Sequence, residues 1–154
     1  YSLADRHIED DLLPTARELG VGIVAFGVLL SGLIGGSSQE EKLKSIGQRI
    51  SPEALATMKA NLARTDALKQ IAVEKGATLA QLAIAWVLAQ GEDIIALVGS
   101  RTASQIKDTI QALNVKLTKE DLDRINRIMP KEEATSSYML DVDIDSKGLF
   151  HAKQ

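Results

Sequence analysis

Two short apolar runs, Val21-Gly22-Ile23-Val24-Ala25-Phe26 and Ile94-Ile95-Ala96-Leu97-Val98, set the terms for any fold this chain can adopt. Each is too short for an ordinary helix and lacks the polar alternation of a strand with one wet face. Both are therefore expected to be parallel strands buried on both faces. The stretch between them is far longer than a hairpin turn and carries helix signals, so the strands are joined by a crossover in a parallel α/β architecture.

The helix signals are local. Ile8, Leu12, Leu13, Ala16 and Leu19 recur at helical spacing after Glu9-Asp10-Asp11, and Gly20 can close that helix. From Gly27 to Gly36 there are four glycines, and Ser37, Ser38 and a polar run follow, which predicts a long loop. Ser51 as N-cap before Pro52 starts a helix, and Glu53 to Lys75 holds either two helices or one with a break. Thr78 with Gln81 forms a capping box ahead of the apolar stripe Leu79, Leu82, Ala83, Trp86 and Val87. Thr102 with Gln105 repeats the box before a helix running to about Leu113, and Thr118 with Asp121 begins the last strong helix, which Pro130 ends.

With 154 residues, 45% hydrophobic and 25% charged, the chain has the balance of a globular domain able to bury a core without staples. It contains no cysteine, which excludes a disulfide scaffold, a zinc-thiolate site and a catalytic thiol, and fits a reducing compartment. A net charge of −3 supplies no basic field for a polyphosphate backbone, so no nucleic-acid partner is expected. The longest apolar run, Ile23 to Leu30, is interrupted by Gly27 and falls short of the roughly 20 residues that span a bilayer, so no membrane role is expected. The N-terminus shows no export signal, and the expected location is cytoplasmic. The chain opens at Tyr1 and its first methionine is Met58, as in a processed, trimmed or partial chain.

Two convincing strands, with a further strand end at Tyr1-Ser2-Leu3, do not close a barrel, which takes about 250 residues. Further chain or another copy is expected to cover the open edges.

In parallel α/β folds ligands sit beyond the carboxyl ends of the strands. After Val98, Gly99-Ser100-Arg101-Thr102 hands a strand over to a helix N-terminus and offers N–H groups, a hydroxyl and a guanidinium. Two readings stay open there: a phosphate site, or a capped helix with a solvated arginine. The glycine-rich loop after Phe26 matches neither nucleotide fingerprint, yet its length and place suit a binding loop. Asp141, Asp143 and Asp145 alternate like a calcium loop, but Ser146 and Ala152 stand where that loop needs glycine and glutamate, so calcium is rejected. His7 and His151 lack ligand spacing, and no metal site, triad or carboxylate pair is read.

Taken together, Tyr1-Ser2-Leu3, Ile23-Val24-Ala25-Phe26-Gly27-Val28-Leu29, the run Ala80 to Gln90 and Val98-Gly99-Ser100-Arg101 resemble the C-terminal part of an aldo-keto reductase. The resemblance implies a partial (β/α)8 TIM barrel in which residues 1–130 supply the end of strand six, strands seven and eight and the C-terminal helices, followed by an irregular tail, 131–154. It implies NADPH as cofactor and the reduction of small-molecule aldehydes or ketones to alcohols.

On the same resemblance Phe26 takes the position of the aromatic residue that stacks on the nicotinamide, where tyrosine or tryptophan is usual. Gly27, where the family pattern has serine, Leu29, Ser31 and Gly32 take the loop that meets the pyrophosphate. Gly99, Ser100, Arg101, Gln105, Asp108 and Thr109 fall in the adenosine-phosphate site, Thr109 standing where asparagine is expected. The family's catalytic residues belong upstream of Tyr1, and neither Tyr138 nor His7 matches one of its motifs, so the catalytic residues are unknown and the chain alone is expected to be inactive. Its partner is the missing N-terminal half or a second copy. The alternative is a catalytically inactive half-barrel serving as a structural or nucleotide-binding module.

Overall fold

A computed structural model describes residues 1–35, 39–48, 51–134, 142–144 and 150–152. The two apolar runs become β1 (Ile23–Ala25) and β2 (Ile94–Ala96), paired in parallel with Ile23 opposite Ile94 and Ala25 opposite Ala96. The Ile23 N–H donates to Asp93 O and the Leu97 N–H to Ala25 O, each at 2.8 Å, so the ladder extends one bond beyond either end.

Burial on both faces is not observed. Ala25 and Ile94 are buried, but Val24 and Ile95 are 58% and 64% exposed. Side chains alternate across a strand, and α4 packs on β2 from one side only. Among the described residues nothing covers the other face.

Before β1, Asp11 accepts from the Leu12 N–H and caps α1 (Leu12–Glu18). Pro14 sits in the first turn, where its missing N–H would have had no intrahelical partner. The main-chain nitrogen of Tyr1 donates to Phe26 O at 2.8 Å, which lays the first residues beside the end of β1. The loop after β1 is shorter than expected, because its polar run winds into α2 (Gln39–Gly47). The stretch from Glu53 resolves as one helix, α3 (Pro52–Glu74).

α4 (Leu79–Leu88) carries the expected Thr78–Gln81 capping box, and it is buried around almost its whole circumference rather than along one stripe. α5 (Ala103–Ile110) passes into a 3-10 turn, Gln111–Asn114, and α6 (Lys119–Ile128) starts at the Thr118–Asp121 box. In the segment after Pro130, for which the sequence offers no periodic pattern, β3 (Val142–Ile144) pairs antiparallel with β4 (Phe150–Ala152).

The core centres on Trp86, Leu82, Leu68, Ile71 and Ile125, all at most 1% exposed. Tyr1 packs against Trp86 with ring centroids 5.5 Å apart, and the Arg6 guanidinium lies 4.9 Å over the Trp86 ring. A buried cation needs full pairing. Arg6 meets it through Glu9 at 2.8 Å, Asn126 Oδ1 at 2.9 Å and Met129 O at 3.3 Å, which fastens the N-terminal segment to α6. α3 is tied to α6 by the Arg124–Glu74 pair at 2.7 Å and by Lys75 with Asp121. Among the described residues no single helix is long and apolar enough to cross a membrane.

Candidate functional site

The carboxyl ends of β1 and β2 open onto a cleft of about 630 Å³. Its first wall is the loop leaving β1. There the Leu30 N–H donates to Gly27 O at 2.8 Å and the Gly32 N–H to Leu29 O at 2.9 Å, winding the chain tightly while Val28 and Leu30 anchor it in the core. Its second wall is the segment leaving β2, where the strand passes through Gly99 and Ser100 into α5.

Of the residues singled out in the sequence, Phe26, Gly27, Leu29 and Gly32 line the first wall. Gly99, Ser100, Arg101, Gln105, Asp108 and Thr109 line the second. Ser31 lies in the 3-10 turn Leu30–Gly32, and its side chain is outside the described residues. Sequence reasoning missed Val28, Ile34, Gly35, Ala80, Leu97 and Val98, which also line the cleft. Leu97 and Val98 follow β2 and were open to inference from that place. Ala80 has no polar atom to betray it, and Gly35 meets α4 only through the fold.

The chemistry of the cleft is two-sided. The Phe26 ring is 55% exposed beside apolar Leu97 and Val98, a surface suited to a flat ring. Arg101 is exposed, and its guanidinium makes no ion pair with any described residue. It stands next to the N-cap of α5, where the helix dipole favours an anion. A Cβ added at Gly27 or Gly99 would meet no atom within 4 Å, so the backbone at both positions is open to close approach.

One detail departs from expectation. Thr102 accepts from the Gln105 N–H at 3.2 Å, but the Gln105 side chain does not answer it. It accepts instead from the Arg101 N–H at 2.7 Å. One main-chain donor of the anion site expected from the sequence is thus already engaged.

The other polar residues weighed in the sequence do not gather here. His7 lies 2.5 Å from Asp5 through Nδ1, before α1. Asp143 pairs across the β3–β4 ladder with His151, and Asp141, Asp145, Ser146 and Tyr138 lie outside the described residues. Among the described residues no group of acidic or histidine side chains forms a metal site.

A protein called an uncharacterized oxidoreductase, YrpG of Bacillus subtilis, is 39% identical over 131 residues, covering 84% of this chain and 39% of that protein. A probable aldo-keto reductase 1 of Glycine max is 37% identical over 135 residues, covering 84% of this chain and 38% of its own. A crystal structure of an aldo-keto reductase from Klebsiella pneumoniae in complex with NADPH superposes with a TM-score of 0.59 at 24% identity, over 84% of this chain and 37% of that one. The chain therefore spans less than two-fifths of the length of these relatives. Residues 1–130, the part that holds both walls of the cleft, match the Aldo/keto reductase family, and the chain belongs to that family.

Proposed function

We propose that this chain is the cofactor-binding C-terminal half of an NADPH-dependent aldo-keto reductase that converts small aldehydes or ketones to alcohols. The observation that carries the reading is the meeting of the Phe26 ring and the Gly99-Ser100-Arg101 turn on one cleft beyond the ends of parallel strands. On this reading Tyr1–Leu3 end the sixth strand of a (β/α)8 barrel, β1 and β2 are the seventh and eighth, and residues 131–154 form a tail. The proposed compartment is the cytoplasm.

The residues present fit the cofactor. Phe26 offers a ring face to the nicotinamide, and Gly27, Leu29, Ser31 and Gly32 form the loop beside the pyrophosphate. Ser100 and Arg101 bring a hydroxyl and a guanidinium to the 2′-phosphate, which α5 favours with its positive end. Gln105, Asp108 and Thr109 remain for the adenosine. When bound, NADPH supplies the hydride that reduces the carbonyl carbon.

A proton donor to the carbonyl oxygen is not found among the residues of the cleft. Tyr1 does not line it; its hydroxyl donates to Glu9 at 2.6 Å, and burial together with that carboxylate pushes its pKa well above the usual value. The donor is therefore assigned to the rest of the natural polypeptide, which is also the proposed cover for the open sheet face. These 154 residues alone are expected to oxidise no NADPH in the presence of an aldehyde, as absorbance at the nicotinamide band would show.

The uncovered faces of Val24 and Ile95 favour a second reading, an inactive half-barrel that self-assembles as a structural or nucleotide-binding module. Intact-mass analysis separates the two: a natural protein near 16.6 kDa supports the module, and one of at least twice that mass supports the enzyme.

Arg101 tests the cofactor reading directly. In the complete protein Arg101→Ala is expected to lower NADPH affinity by about ten- to a hundredfold while leaving NADH nearly unchanged, because only NADPH carries the 2′-phosphate. Calorimetric titration with each cofactor decides it. Equal losses, or no loss for NADPH, would overturn the assignment.

A further inference from the structure

Gln81 does not line the cleft, although its neighbour Ala80 does. It is 7% exposed, and each end of its amide is engaged. Oε1 accepts from the Thr78 N–H at 2.9 Å and completes the cap of α4. Nε2 donates to the main-chain oxygen of Asp108 at 3.0 Å and to its Oδ1 at 2.8 Å. One buried side chain thus reaches from the first turn of α4 to the second turn of α5.

The two bonds to Asp108 fix different things. The main-chain bond sets the depth of α5 against α4, and the side-chain bond selects one rotamer of an otherwise exposed carboxylate. Oδ1 is taken, and among the described residues nothing donates to Oδ2. A carboxylate accepts only, so the second oxygen, on a residue that lines the cleft, is suited to an N–H donor on a ligand. Asp108 stands about 4.5 Å along the helix axis from Gln105, which itself lies in the first turn. It is therefore displaced toward the interior of α5 from the dipole end where a phosphate is favoured, at a place suited to the base of a dinucleotide.

We propose that Gln81 is a positioning residue for base recognition: by holding Oδ1 and the carbonyl of Asp108 it presents Oδ2 to an exocyclic amino group of the bound nucleotide. The proposal rests on reading the cleft as a dinucleotide site. It gives Gln81 a part in specificity although the side chain touches no ligand.

The test compares NADPH with its hypoxanthine counterpart, in which the amino group of the base is replaced by a carbonyl oxygen. The complete protein is used as wild type, Gln81→Met and Thr78→Ala. Wild type is expected to prefer NADPH by about tenfold, the worth of one hydrogen bond to a charged acceptor. Gln81→Met should bring that ratio to about one with little change for the hypoxanthine form. Thr78→Ala removes a hydroxyl from the α4 cap while leaving the Gln81–Asp108 bonds in place, and should keep the wild-type ratio.

An unchanged ratio in Gln81→Met, equal losses for both ligands, or a collapse of the ratio in Thr78→Ala would each make Gln81 a structural residue and overturn the inference. Wild type binding both ligands equally would remove Asp108 from base recognition and overturn it too, with the cofactor reading intact. Wild type binding neither would bring down the cofactor reading itself.

Discussion

Asp121 places three interactions on one carboxylate at the start of α6. Oδ2 accepts from the Thr118 N–H at 2.7 Å and from the Thr118 hydroxyl at 2.8 Å, and the same oxygen pairs with Lys75 beyond α3. Burial alone would raise its pKa, but the Lys75 ammonium and the two Thr118 donors outweigh burial and hold it at about 2, against an ordinary 3.8. A folded pKa below the unfolded one stabilises the native state above the unfolded value, and that contribution drains away as the pH falls toward the folded value. Thermal melts of the complete protein should accordingly find Asp121→Asn less stable than wild type by on the order of 1–2 kcal/mol near neutrality. The difference should narrow between pH 3.8 and about 2. A deficit that stays constant over that window would mean that lost packing, and not charge, sets the cost.

The loop leaving β1 and the helix α4 meet at one close contact. A Cβ built on Gly35 would lie 2.8 Å from Ala80 Cβ, and Gly35 holds a φ of +73°, where a side chain is disfavoured. Gly20 has a similar φ of +67° with nothing within 4 Å. Gly20→Ala should cost about 1 kcal/mol from backbone strain alone, and Gly35→Ala about 2–4 kcal/mol because the overpacked contact is added. Equal melting shifts for the two variants would show that α4 yields without resistance. The same elements explain what the sequence could disclose. The capping residues Thr78, Thr102 and Thr118 were legible because a cap is decided within four residues. α2 was not, since Glu40-Glu41-Lys42-Leu43-Lys44 is as polar as a loop and shows no apolar stripe at helical spacing, although Ser38 and Glu41 stand at the spacing of a capping box. The turn of Gln105 toward Arg101 escaped notice because two backbone donors compete for it at nearly the same distance along the chain. In the cleft, strand ends and turn residues were readable from their position after β1 and β2. Ala80, Gly35 and the support from Gln81 arise from contacts between separate elements, which no local pattern encodes.

The described residues leave a broad apolar surface uncovered. Val24, Phe26, Ile95 and Leu97 stand exposed along β1 and β2, and Ile106, Ile110 and Leu113 form a second exposed row along α5 and the turn after it. Sheet edges with free backbone groups and contiguous apolar patches both promote association. The isolated 154-residue chain is therefore expected to sediment as oligomers or aggregates, and a sharp monomer that unfolds cooperatively would show the fold to be self-sufficient. One-sided burial of the strands was illegible in the sequence for the same reason: whether a face is covered depends on chain lying elsewhere. The pairing of Ile23 with Ile94 also has a meaning in time. The partners are 71 residues apart, and closing such a loop costs roughly 4 kcal/mol of chain entropy before any contact repays it. α3 and α4 can form from local contacts while β2 is still being synthesised, so the ladder is expected to be a late event in folding. The cleft is built at the ends of that ladder. Newly made chains should thus acquire helix content ahead of any capacity to hold a nucleotide, and lesions in strand pairing should delay the second without the first.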